Sequence, residues 1–202
     1  MGSQERKTQK MMINKTFTKI FDGSTERYLL LTEITPEGKK KTTQPHGSFP
    51  VDLHLDPKQP NKIFGRSPVK YTNEGKGLCR WIGLDVDLKL EPLEACSKAW
   101  SVDTDIIPFR STNGKWHYYK FLKDFIDVDR ARLIKDKLVE QFNILGLKCD
   151  KDKCLPQGYN LKDKTPGNQL YLPRFYDGTI PYSPRGEPLT ESQFLFRLDN
   201  LK

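Results

Sequence analysis

Long apolar runs are missing from this sequence. No stretch approaches the roughly 20 apolar residues that a membrane helix needs, which excludes a helical span within the 202 residues and predicts no membrane partner. No secretory leader pattern is visible, so a cytoplasmic location is expected. Cysteine is scarce: Cys79, Cys96, Cys149 and Cys154 lack the repeated C-x-x-C pairing of zinc modules and read as free thiols of a reducing compartment. Cys149 and Cys154 are the pair placed to share a metal ion, with no histidine nearby. A G-x-x-x-x-G-K-[ST] loop is also absent, which excludes a recognisable P-loop motor.

What the chain has in excess is positive charge. Lys and Arg number 34 against 26 Asp and Glu, a net charge of +8. Such a balance suits a polyanionic partner, nucleic acid or nucleotide phosphates, with solubility as the ordinary alternative. The length allows one substantial core. Residues 16–202 read as one unit, and residues 1–15 as a flexible N-terminal segment in which Met1, Gly2 and Ser3 resemble a cloning remnant.

Hydrophobic periodicity gives an α+β order. Tyr28–Ile34, "YLLLTEI", reads as a strand, and "VDLHL" at 51–55 alternates with period two, as a short strand does. "IFGRSPV" at 63–69 is a third candidate, ahead of the turn-like "TNEGKG". After the run "RWIGLDVDLKL" at 80–90 comes a short helix over 91–100. "DIIPFRS" and "KWHYYKFL" then flank residues 112–114 as a hairpin, with Asn113-Gly114 a favoured turn pair. Val128, Ala131, Ile134, Leu138, Phe142 and Leu145 recur at helical spacing, with Asp127 placed to cap the start and Gly146 to end the helix. "NQLYLPRFY" at 168–176 reads as a strand-turn, and Thr190 with Gln193 fits a capping box opening a last helix.

Three segments carry candidate chemistry. In a strand, Asp85 and Asp87 point to one face while Leu84, Val86 and Leu88 point to the other. Two like charges so close repel unless a cation or water screens them, and a divalent metal is the strongest such partner. The ordinary alternative is the solvated face of an edge strand. The hairpin brings the Ser111 hydroxyl, the Lys115 ammonium and the His117 imidazole near one another, groups suited to holding phosphate oxygens. The third segment, "CDKDKCLPQG" at 149–158, offers Asp150 and Asp152 among lysines and reads by itself as a charged turn.

In this order, the three segments resemble the catalytic core of the archaeo-eukaryotic primase superfamily, in particular the primase-polymerases of phages and plasmids. That family carries an aspartate pair on a strand, then a motif written around S-x-x-G-x-x-H, a helix and a third aspartate. "DKCLPQ" and "GNQLYLP" look like its D-x-x-F-P-K-Q and N-x-x-N-L-P region, with Leu155 and Gln157 as departures, so the resemblance spans roughly residues 28–176. It implies a primase-like core, a mixed or antiparallel sheet with an RRM-like catalytic module and flanking helices. It further implies template-directed nucleotidyl transfer in DNA replication. Asp85, Asp87 and Asp152 would hold Mg²⁺ or Mn²⁺, with Asp150 the alternate to Asp152, while Ser111, Lys115 and His117 would bind the triphosphate of an NTP or dNTP. Partners would be single-stranded template and primer and a helicase domain or subunit, in a prokaryotic host cell carrying the phage or plasmid.

Residues touching nucleic acid are not readable; Lys58, Arg66, Arg80 and Arg174 are candidates, and Tyr118, Tyr119, Tyr171 and Tyr176 are either stacking or core residues. Two further classes stand beside this reading. One is a non-catalytic nucleic-acid-binding module, which the intact carboxylates and histidine oppose. The other is a metal-dependent nicking replication initiator, which is disfavoured because His46, His54 and His117 are isolated.

Overall fold

The computed structural model describes residues 14–199 apart from 38, 60–61, 112 and 175–178. Most of the N-terminal segment expected over 1–15 therefore lies outside the described residues, as do Thr112 and Tyr176. Elements follow in the order α1 (14–20), β1 (Leu29–Ile34), β2 (Lys40–Thr43), α2 (Val51–His54), β3 (Phe64–Arg66), β4 (Val69–Tyr71) and β5 (Gly77–Val86). Then come α3 (Pro92–Val102), β6 (Ile106–Arg110), β7 (Trp116–Asp127), α4 (Val128–Ile144), a 3₁₀ turn (Lys151–Lys153), β8 (Leu170–Tyr171) and α5 (Glu191–Asp199). The class is α+β, with two antiparallel sheets ordered β2-β1-β3-β8 and β4-β5-β7-β6.

Alternation along β5 divides the interior. Ile82, Leu84 and Val86 enter one core with Ala95, Cys96 and Ala99 of α3 and Leu138, Val139 and Phe142 of α4. Trp81, on the opposite face, enters a second core with Ile107, Phe109, Tyr119, Leu170 and Phe194. Gly83 shares that second face, where a Cβ would come within 2.9 Å of the Leu170 side chain. Each sheet face is thus covered by apolar side chains, as a buried antiparallel sheet requires.

The segment after α4 returns to β5. Isolated antiparallel bridges join Gly83 to Leu155 and Val86 to Cys149. The order β5-α3-β6-β7-α4-bridge is that of a split βαβ unit, its last strand reduced to these two bridges. The 3₁₀ turn bulges out between them, beside the end of β5.

Local signals formed where expected. Asp127 caps α4, its carboxylate accepting from the amides of Asp129 and Arg130. Thr190 and Gln193 form the capping box of α5, the Gln193 side chain accepting from the Thr190 amide at 2.8 Å. The hairpin closes where the Ser111 amide donates to the Lys115 carbonyl, with Gly114 at φ 81°, a left-handed conformation that glycine adopts without cost. The segment "VDLHL" is a correction: it forms α2 instead of a strand. The amides of His54 and Leu55 reach back to the carbonyls of Pro50 and Val51, and the imidazole of His54 is buried among Phe17, Phe49 and Phe64. Burial of that one ring outweighs a two-residue alternation over so short a stretch. The run at 80–90 is also shorter as a strand than it reads, ending at Val86 and leaving Asp87 on the following loop.

Candidate functional site

The site begins with strand register. Asp85 of β5 lies opposite His117 of β7, which lies opposite Phe109 of β6. Direct cross-strand neighbours project side by side from one face, and here that puts His117 Nε2 3.3 Å from Asp85 Oδ1. Val86 and Trp116, one position on, turn into the first core. Burial of these neighbours therefore fixes which way the acid and the imidazole point.

Beyond the strand end, Asp87 sits between two cations. Lys115 Nζ lies 2.7 Å from its Oδ1 and Lys153 Nζ 2.5 Å from its Oδ2. The hydrogen bond from Lys115, then that from Lys153, holds the Asp87 carboxyl down to about 2, against the opposing effect of burial. Reciprocally, Asp87 raises the Lys153 ammonium above its ordinary value. Lys153 Nζ also lies 3.7 Å from Asp150 Oδ2, so it links the 3₁₀ turn to the end of β5.

Asp85, Asp87, Ser111, Lys115 and His117 line one cavity of about 370 Å³, which Arg110, Asn113 and Arg174 also border. Ser111 is engaged in its own turn, its single hydroxyl proton within reach of Asn113 Oδ1 at 2.5 Å and of Lys115 O at 3.0 Å, and it donates to a ligand oxygen by rotating out of that turn. Asp152 does not border this cavity. Its amide donates to Asp150 Oδ1 at 3.0 Å and its carbonyl accepts from Asn168 Nδ2 at 3.4 Å. Among the described residues, no three His, Cys, Asp or Glu side chains converge as a ready metal cage. Cys149 and Cys154 are free and buried, their Sγ atoms 3.2 Å apart.

Other candidates separate clearly. Arg66 is a correction: it is buried, and four of its five guanidinium N–H groups donate to the carbonyls of Phe21, Gly23 and Ser24 and to Asp22, which makes it a structural residue out of reach of a phosphate. Tyr118 and Tyr119 are core residues, whereas Tyr171 borders the cavity. Arg80 is half-buried, its Nη2 donating to Lys123 O and its guanidinium over Phe125.

Lys153 and Arg110 were not read as site residues. Arg110 carried a signal, standing beside Ser111 in "FRS". Lys153 carried none, because only the turn between the two bridges brings it to Asp87.

The assembly is a pair of carboxylates rimmed by two lysines, two arginines, an imidazole and a hydroxyl. Its charges suit a divalent cation on the acidic floor and a polyphosphate along the basic rim. No helix of the described residues is long and apolar enough to cross a membrane. No family model matches the chain, and no curated protein matches it. Among solved structures, the chain is similar to the polymerase domain of Mycobacterium tuberculosis Ligase D in complex with DNA, at 11% identity and a TM-score of 0.46, over 93% of this chain and 86% of that one. A likeness at that level carries no information about chemistry.

Proposed function

We propose that this chain is a DNA-dependent primase-polymerase domain that transfers nucleotides from NTPs or dNTPs onto a growing strand. One observation carries the reading: Asp85 and Asp87 share a cavity with Ser111, Lys115 and His117, residues from another part of the chain that the same motif pattern groups with them. Hard carboxylate oxygens fit Mg²⁺ or Mn²⁺. Mg²⁺ commonly takes only one or two carboxylates and completes its shell with substrate phosphates and water, so the pair suffices as a starting donor set. When bound, the ion supplies charge neutralisation at the reacting phosphate.

The chain's own residues do the rest. His117, Ser111 and Lys115 hold the triphosphate, with Arg110 beside them and the buried Arg174 adding positive charge from the cavity wall. Lys115 and Lys153 keep Asp87 ionised and are half-exposed, free to turn toward phosphate oxygens as they arrive. The third carboxylate comes from the 3₁₀ turn: Asp152 by motif spacing, or Asp150, which already shares Lys153 with Asp87. Template and primer are single-stranded and primed DNA, and the unwinding partner is a helicase domain or subunit in a prokaryotic cell.

The test is extension of primed and unprimed single-stranded template with labelled nucleotides and Mg²⁺ or Mn²⁺, beside Asp85→Ala and Asp87→Ala. The parent extends, and each substitution lowers extension by about a thousandfold, the equivalent of several kcal/mol of lost charge stabilisation. Retention of template without synthesis would instead identify a non-catalytic binding module, and template cleavage a nicking initiator.

A further inference from the structure

The cavity has a second half unlike the first. Besides the carboxylates and the hairpin it is bordered by Leu31, Ile34, Ile63 and Tyr171, residues brought by the β2-β1-β3-β8 sheet and its edges. Ile34 is 56% exposed, and Tyr171 is only partly buried. The exposed Lys40 ammonium stands 5.0 Å above the Tyr171 ring centroid. An apolar wall continuous with a charged one suits a ligand that is apolar at one end and anionic at the other.

We infer that Tyr171, which lines the cavity together with Leu31 and Ile34, forms a nucleobase subsite that stacks the base of the nucleotide whose phosphates occupy the basic rim. This rests on the reading of that rim as a triphosphate site. Continuity selects the occupant: one cavity of about 370 Å³ holds both halves, and a nucleoside triphosphate is the polyanion that carries a planar aromatic group. Lys40 does not block it, because an exposed cation–π contact is weaker than base–aromatic stacking. The platform is fixed by backbone: Tyr171 pairs with Gly65 in the sheet, and its carbonyl accepts from Tyr119 Oη at 3.2 Å, so the ring can be removed without losing those contacts. Every base has a π-face, so stacking adds affinity without choosing among the four bases and leaves that choice to the template.

Calorimetric titration in Mg²⁺ with a nucleoside triphosphate and with inorganic tripolyphosphate separates the two halves. Both ligands are measured on the same sample, so the ratio of their affinities is insensitive to a partly unfolded fraction. The parent binds the nucleotide about tenfold more tightly than tripolyphosphate, Tyr171→Ala brings the ratio close to one, and Tyr171→Phe keeps it. A parent ratio near one, or a ratio that Tyr171→Ala leaves unchanged, overturns the base subsite while the phosphate site stands. Failure of the parent to bind either ligand overturns the triphosphate reading and the subsite with it.

Discussion

His54 is held neutral by its surroundings. Burial is the main cause of the drop in its pKa to about 3, and the Arg174 charge adds to it, although Nε2 donating to the Pro173 carbonyl opposes the shift. In the unfolded chain the same imidazole titrates near 6.5. As pH falls below that value the unfolded state gains a proton that the native state refuses until about 3, so stability is full above pH 6.5 and declines through this window. The loss is about 1.4 kcal/mol per pH unit, or about 2 kcal/mol between pH 6.5 and 5. Urea unfolding of the parent and of His54→Gln over that range measures it: the parent curve falls more steeply by this amount, and parallel curves would contradict the account. Nothing in "VDLHL" signalled the effect, because the rings around His54 come from residues 17, 49 and 64. Asp85 and Asp87 were legible as a pair because their alternation with buried Leu84 and Val86 is local. Lys153, which also holds Asp87, was not, because it arrives from 66 residues away.

At the scale of elements, α4 and the β6–β7 hairpin were readable from periodicity, capping and turn chemistry, all short-range signals. One α4 residue was not. Lys135 is fully buried between expected core positions, its ammonium donating to Gln157 Oε1 at 3.2 Å and to Lys151 O at 3.5 Å. It lies 2.8 Å from Asp136 Oδ1, a charge contact with poor hydrogen-bond angles. A lysine reads as a surface residue by type; the loop folding back over α4 gives its ammonium the acceptors that let it be buried. Lys135 therefore ties the helix to the segment that carries Asp150, Asp152 and Lys153. Lys135→Met leaves Gln157 Oε1 without its donor and Asp136 with Lys151 as its remaining cation, 3.1 Å away, and lowers stability by about 2 kcal/mol. The amides of Cys154 and Leu155 exchange faster in the variant, as hydrogen exchange reads out, whereas unchanged protection there would remove the helix-to-turn link.

For the molecule as a whole, the fold gathers at one cavity residues that composition could only count. The net charge of +8 is spread over both signs, so nucleic-acid binding at the proposed site should depend on the lysines and arginines that face the strand. With about four phosphate contacts the log–log salt slope on single-stranded DNA is about −3, and affinity falls by about fiftyfold between 50 and 200 mM salt. Fluorescence anisotropy with a labelled oligonucleotide measures that slope, and salt-independent binding would contradict it. The central claim is that the carboxylates and the hairpin serve template-directed synthesis. Single-nucleotide incorporation on four primed templates that differ only in the first unpaired base tests it most directly. The account predicts that the incorporated nucleotide follows the complement of that base on every template and that Asp87→Ala lowers incorporation about a thousandfold. Incorporation that ignores the template base, or that survives Asp87→Ala undiminished, would contradict it.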